Sequence, residues 1–202
     1  LGLAARPLGP IGERSGYSWV GMVGMEDPIR EGVREAIDRT RQAGIQVKVI
    51  TGDYRRTAER VAESIGLPAR DEQVIEGEQL AGMSDEELEQ RVPATLIFSR
   101  IKPSEKLRIV EALKRRGDIV AMIGDGVNDA PALQRADIGV VVGTASDVAR
   151  DTADLVLLDS NFRTIVAAVE EGRTIFENIR KVVSYTLSNS FSEVLAIFAA
   201  QL

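Results

Sequence analysis

The 202-residue chain contains no cysteine and no histidine. Without cysteine there is no disulfide framework and no thiolate nucleophile. Without histidine the usual zinc sites and Ser-His-Asp catalysis are excluded, which leaves carboxylates, lysines and hydroxyls to carry any chemistry. A basic block is missing too. The 25 Lys and Arg stand against 31 Asp and Glu, a net charge of −6, and this excludes a nucleic-acid footprint. Residues 1–10 have neither an initiator methionine nor a charged n-region, so they read as the interior of a longer chain and not as a signal peptide. What is present is a hydrophobic content of 44%, enough for one well-cored domain and an appendage.

The apolar runs alternate with helical periods. Residues 1–18 are dense in Gly and Pro and read as a strand end and loop. Residues 19–25 form a run that predicts a buried strand, and Asp27-Pro28 after it predicts a helix start, with proline at the first helical position. Ile29, Val33, Ile37 and Thr40 continue at helical spacing, and Gly44 closes the helix. Short strands are expected at 47–50, 95–98, 119–123, 136–142 and 155–158. Between the second and third of the chain's strands, a helix runs to Ile65 and stops at Gly66-Leu67-Pro68. Residues 69–94 read as a charged excursion whose Ser84-Asp85-Glu86-Glu87 capping box starts a solvated surface helix without a functional role. A further helix after Pro103 carries Leu107, Val110 and Leu113 on one face, with Lys114 on the exposed side. The alternation predicts an α/β fold: a doubly wound, mostly parallel sheet with helices on both faces.

The candidate chemistry lies at the strand ends. Gly124-Asp125-Gly126-Val127-Asn128-Asp129-Ala130-Pro131 follows an apolar strand and precedes a helix. Its glycines permit tight turns and close approach of a ligand, while Asp129 is placed to cap the helix. Asp125, Asn128 and Asp129 bring hard oxygen donors together, a set that suits Mg²⁺, which takes one or two carboxylates plus phosphate oxygens and water. Thr51-Gly52-Asp53 and residues 100–106 leave the same edge of the expected sheet. Thr51 offers a hydroxyl, Gly52 an unobstructed N–H and Lys106 a compact positive charge, the donors that a phosphoryl group requires. There is no Asp-rich strand end to act as a phosphate acceptor.

From Asn161 onward the pattern is helical almost without interruption, and residues 182–202 contain no Lys or Arg and one charge, Glu193. At about 1.5 Å per residue that stretch is long enough to cross a bilayer core of ~30 Å, and Arg180-Lys181 before it forms the expected cytoplasmic flank. Thr186, Asn189 and Ser190 share a helix face with Glu193, near the expected bilayer midplane, where an ionisable group is costly and usually functional.

On Asp27-Pro28-Ile29-Arg30, Thr51-Gly52-Asp53, Lys102-Pro103-Ser104-Glu105-Lys106 and residues 122–133, the sequence resembles the P-type cation-transporting ATPases, a branch of the haloacid dehalogenase-like superfamily, and above all their calcium-pump-like group. The similarity runs through essentially the whole chain. It implies a remnant of a nucleotide-binding domain and linker at 1–18, the C-terminal part of a phosphorylation domain at 19–160, a stalk helix at 161–181 and a transmembrane helix at 182–202. By resemblance, Thr51, Gly52, Asp53 and Lys106 serve the phosphoryl group, with Arg100 and Asn128 beside them on the ATP side. Asp125 and Asp129 serve Mg²⁺, and Glu193, Ser190 and Asn189 the transported ion, Ca²⁺ being the leading candidate. The family's Asp-Lys-Thr-Gly-Thr segment has no match here, so the chain by itself is expected to be inactive and to need the remainder of the polypeptide. The partners implied are ATP, a cation and membrane lipid, with residues 1–181 on the cytoplasmic side. A soluble Mg²⁺-dependent phosphatase of the same superfamily, using the same sheet and Mg²⁺ loop, is the alternative, and it makes no use of residues 182–202; a receiver-like binding module is a third, and it leaves Lys106 and Asn128-Asp129 without a joint purpose.

Overall fold

The computed structural model describes residues 2–5, 16–24, 28–143, 145–159 and 161–200. β1 (Gly2–Ala5) and β2 (Ser18–Met22) pair antiparallel, Gly2 opposite Met22. This differs from the expected buried strand, because β2 pairs with β1 and its side chains find no covering layer: Trp19 is 67% and Met22 81% exposed. Gly2 lies under the Trp19 ring, where a Cβ would approach the ring to 2.8 Å. α1 (Val33–Gln42) starts later than the Asp-Pro signal predicts. Asp27 lies outside the described residues, Pro28 precedes the helix, and Gly32, with φ 78°, makes the left-handed turn that begins it. Gly44, also at φ 78°, closes it as expected.

β3 (Val49–Ile50) leads through the Thr51 loop into α2 (Arg55–Ser64). The excursion after it is ordered into β4 (Val74–Glu76), α3 (Gly77–Gly82) and α4 (Asp85–Arg91) before β5 (Ile97–Ser99). The capping box of α4 forms, Glu87 N–H donating to Ser84 Oγ at 3.2 Å and Ser84 N–H to Glu87 Oε2 at 3.3 Å. Yet α4 is not a solvated ornament, since Leu88 and the following Val92 are fully buried. The remaining elements are α5 (Pro103–Arg115), β6 (Ala121–Gly124), α6 (Ala130–Arg135), β7 (Ile138–Val142), α7 (Asp147–Thr152), β8 (Leu155–Leu157) and α8 (Phe162–Ala200).

The α/β expectation holds, with the parallel strands divided into two three-stranded sheets ordered β3-β5-β4 and β6-β7-β8. Every pair within them is parallel, so in each sheet the loops at the C-terminal strand ends emerge on one side. α5 joins the two. Its Ile109 packs in the core with Phe98, Ile75 and Leu88, while the adjacent Val110 packs with Val141, Met122 and Leu133, and Leu113 touches both groups. The buried side of α5 is therefore Glu105, Ile109, Val110 and Ala112, a broader face than the expected Leu107-Val110-Leu113 stripe.

α8 is one uninterrupted helix of 39 residues, through Gly172 and across the expected stalk-to-membrane boundary at 181/182; residues 201 and 202 lie outside the described set. It is long and apolar enough to cross a membrane. Near its start it is tied to α1: Arg163 pairs with Glu35 at 3.1 Å, Arg39 with Glu170 at 2.7 Å, and Arg173 donates to the Ala43 carbonyl at 2.8 Å.

Candidate functional site

Lys106 and Asp129 meet. The Nζ–Oδ1 distance is 2.6 Å, with the lysine side chain 18% and the carboxylate 8% exposed, so the pair is shielded from the solvent that weakens surface ion pairs. The meeting follows from the local chain. Lys102-Pro103 starts α5, proline occupying its first turn and Glu105 accepting the Lys102 N–H at 2.7 Å, which sets Lys106 in the first turn pointing along the strand-end side. Opposite, Gly126 leads a single 3₁₀ turn over Val127–Asp129.

That turn overturns one expectation. Asp129 does not cap α6: at φ −94° and ψ −16° it is already helical, where an N-cap needs extended backbone, and its side chain turns back to Lys106 and, at 3.4 Å, to the Gly126 N–H. Gly124 makes room for it, since a Cβ there would lie 2.7 Å from the Asp129 Cβ. Asp125 and Asn128 are exposed on the same loop. The Asp125 carbonyl accepts the Ser146 N–H at 3.1 Å, and Ser146 in turn caps α7 by accepting from Ala149 N–H at 3.3 Å. Ser146 was not among the residues singled out from sequence. Its signal, a Ser-Asp pair before a short helical run, was present but unremarkable.

Thr51-Gly52-Asp53 forms a self-bonded turn: Thr51 Oγ1 donates to Asp53 Oδ2 at 3.0 Å and accepts the Asp53 N–H at 3.1 Å. Its backbone is held by β5 and the turn beyond, with Thr51 N–H to Phe98 O at 2.9 Å and Ile101 N–H to Thr51 O at 3.0 Å. Arg100 is exposed and places its guanidinium 5.2 Å from the centre of the Tyr54 ring, a cation–π contact that sequence reasoning did not anticipate. Lys114, expected on the open side of α5, instead pairs with Asp137 at 2.8 Å and donates to the Arg135 carbonyl at 3.0 Å.

The donor set fits Mg²⁺ in a limited way. With Asp129 committed to Lys106, Asp125 is the free carboxylate, and no group of three acidic side chains converges among the described residues. A single carboxylate with a carbonyl or amide nearby suits a hard ion that completes its shell with phosphate oxygens and water, and not a cage built from protein alone.

The far end of the chain is placed as follows. Thr186, Asn189, Ser190 and Glu193 lie exposed on α8, with Thr186 Oγ1 bonded to the Val182 carbonyl at 3.0 Å and Asn189 Nδ2 3.5 Å from Glu193 Oε1.

The family model of haloacid dehalogenase-like hydrolases matches residues 10–137, which include the loops at Thr51, at residues 100–106 and at Asp125. The chain belongs to the haloacid dehalogenase-like hydrolase family. Within it, the sequence likeness is to P-type ATPases. A calcium-transporting ATPase of Listeria monocytogenes is 44% identical over 181 residues, covering 90% of this chain and 21% of that protein. A P-type sodium-transporting ATPase of Toxoplasma gondii is 48% identical over 194 residues, covering 90% of this chain and 14% of that one. The human calcium-transporting ATPase type 2C member 1 is 41% identical over 203 residues, covering 100% of this chain and 22% of that protein. Among solved structures, a zinc-transporting PIB-type ATPase in its E2.Pi state superposes with a TM-score of 0.60 at 29% identity, over 77% of this chain and 21% of that one. The chain thus spans about a fifth of the length of curated relatives such as the Listeria and human proteins.

Proposed function

We propose that this haloacid dehalogenase-like chain is the C-terminal part of the phosphorylation domain of an ATP-driven cation pump, continued into a stalk and one membrane helix, and that the pump works through an aspartyl-phosphate. The observation that carries the reading is a conjunction in one polypeptide. The domain that joins Lys106 to Asp129 at 2.6 Å continues beyond β8 into a 39-residue helix long and apolar enough to cross a membrane. A soluble phosphatase needs the first feature and has no use for the second.

The acceptor aspartate comes, in this proposal, from the remainder of the polypeptide. The sheets support a place for it. β3 and β6 are each an edge of a parallel sheet, the two sheets sharing α5 as a common layer, and on the β6 side Ile123 and Ile119 are 37% and 80% exposed. A further parallel strand fits there, covering these side chains and pairing both edges. Its C-terminal end then falls between Thr51 and Asp125.

In that arrangement the Thr51 hydroxyl, turning its proton from Asp53 Oδ2, and the Gly52 N–H donate to equatorial phosphoryl oxygens, and Lys106 offsets charge as the P–O bond to ADP breaks and the bond to the carboxylate forms. Asp129 keeps the ammonium in place. Asp125 is the residue that holds Mg²⁺, with Asn128 ordering the loop; the bound ion supplies charge neutralisation at the phosphoryl oxygens. The relatives' names include both calcium and sodium, and on α8 Glu193 with Asn189 or Ser190 offers oxygen donors to the transported cation.

The test is phosphoenzyme formation by the full-length polypeptide. Asp125→Asn and Lys106→Ala should each slow phosphorylation by about 10²-fold or more, as loss of an electrostatic stabiliser does. Arg56→Ala, an exposed position on α2, is the control and should be unchanged. Normal phosphoenzyme in Asp125→Asn or equal, mild effects at all three positions would overturn the assignment.

A further inference from the structure

Arg100 is the one described non-glycine residue in the left-handed region, at φ 53°. Such a residue costs conformational energy and persists only where its surroundings over-determine it, and the outliers cluster at functional sites. The Arg100 N–H donates to the Asp53 carbonyl at 2.9 Å, and the next N–H, of Ile101, donates to the Thr51 carbonyl at 3.0 Å. Two successive amides beyond β5 thus grip the phosphate loop on both sides of Gly52.

That grip has a directional consequence. A trans peptide is planar with its C=O and N–H on opposite sides. With the Thr51 carbonyl drawn toward Ile101, the Gly52 N–H of the same peptide points away from β5. With the Asp53 carbonyl drawn toward Arg100, the Tyr54 N–H does likewise. The corner therefore aims backbone donors toward the open side of the loop, where an anion can use them.

On the other side of the corner stands Gly77, the first residue of α3. A Cβ at Gly77 would lie 2.3 Å from the Arg100 carbonyl oxygen and 3.1 Å from its carbon. Both are backbone atoms and cannot swing aside. The buried Glu105 carboxylate, 3.2 Å from the same Cβ position, is fixed by the Lys102 N–H at 2.7 Å.

We propose that Gly77 and the left-handed backbone of Arg100 form a corner that sets the direction of the Gly52 N–H, which makes Gly77 a positioning residue for phosphate, contributed by the β4–α3 excursion. This rests on the phosphate reading of the Thr51 loop. Gly77 touches no substrate; it acts through Arg100, and Arg100 acts here through its backbone.

The experiment compares Arg100→Gly with Arg100→Val. Both remove the guanidinium and its contact with Tyr54, but glycine adopts the left-handed conformation freely and valine opposes it. In the full-length polypeptide, phosphorylated from inorganic phosphate with Mg²⁺, the half-saturating phosphate concentration should be about tenfold higher for Arg100→Val than for Arg100→Gly, a modest loss for a misaimed donor. Gly77→Ala should resemble Arg100→Val. A glycine that served folding alone would lower the yield or the melting temperature and leave half-saturation unchanged. Equal half-saturation in the two Arg100 variants overturns the proposal, as does wild-type half-saturation in a folded Gly77→Ala; where Gly77→Ala does not fold, the Arg100 pair decides. Lys106→Ala run in parallel separates the two levels. If it phosphorylates normally the phosphate reading fails, and amide exchange at Arg100 and Ile101 in the 202-residue chain then decides the corner, faster exchange in Arg100→Val than in Arg100→Gly supporting it and equal exchange overturning it.

Discussion

Two carboxylates meet two lysines of α5, and their surroundings give them different work. Asp129 is buried against Lys106 at the strand ends, whereas Asp137 sits at the other end of the helix and ties it to the start of β6. A hydrogen bond from Lys114, and after it one from the Val120 N–H at 2.9 Å, hold the Asp137 carboxyl below its usual range. The charged form is therefore favoured in the folded state. Its contribution to stability is complete above the ordinary carboxylate range and is lost as pH falls through that range toward the depressed value. Denaturant melts of the chain between about pH 5 and pH 3 should show the midpoint falling, with part of that fall absent in Asp137→Asn. An identical pH profile in the variant would remove Asp137 from the account. At this scale the sequence brings Lys106 and Asp129 to the strand ends, where the structure joins them, and it misses two partners. Asp129 was assigned to a helix cap and Lys114 to solvent, because a partner more than twenty residues away leaves no trace in local spacing.

Among the elements, α4 departs most from its sequence reading. Its Asp-Glu-Glu start looks like a solvated surface, and the capping box is indeed formed, but one face is apolar at Leu88 and continues into Val92. Both residues join Phe98 and Ile109 in the core beneath β5, so the excursion supports the strand that holds the Thr51 loop. Leu88→Ala should destabilise the chain by about 2–5 kcal/mol, and Ser84→Ala by roughly 1 kcal/mol through the lost cap. Thermal or urea unfolding measures both. A Leu88→Ala cost no larger than that of Ser84→Ala would return α4 to the surface. β2 errs the other way. Its apolar run predicts burial, yet pairing with β1 leaves Trp19 and Met22 exposed, because burial is decided by what lies over a strand.

For the molecule as a whole, α8 is the connection that matters. Arg163, Arg39 and Arg173 fasten its start to α1, which leads toward β3 and the Thr51 loop, while its far half carries Glu193. One helix therefore runs from α1, the helix before β3, to the proposed ion site, the kind of continuous element through which two sites can be coupled. In the full-length polypeptide, Glu193→Gln should weaken the apparent cation affinity of phosphorylation by about tenfold or more, since an ion ligand in a low-dielectric site is lost. Unchanged ion dependence with lower protein stability would make Glu193 a partner of another helix and not a ligand.

Local sequence was enough to specify the alternation of strands and helices, the residue types at each strand end and the length of the apolar helix. All three are local: period, turn chemistry and composition over a few residues to a few tens. Only the tertiary structure settled that the strands divide into two parallel sheets bridged by α5, that Asp129 turns to Lys106, that α4 belongs to the core, and that Gly77 leaves room for the Arg100 carbonyl. Each of these is a meeting of backbone or side-chain atoms distant in the chain, and close packing admits only the arrangement in which all of them fit at once.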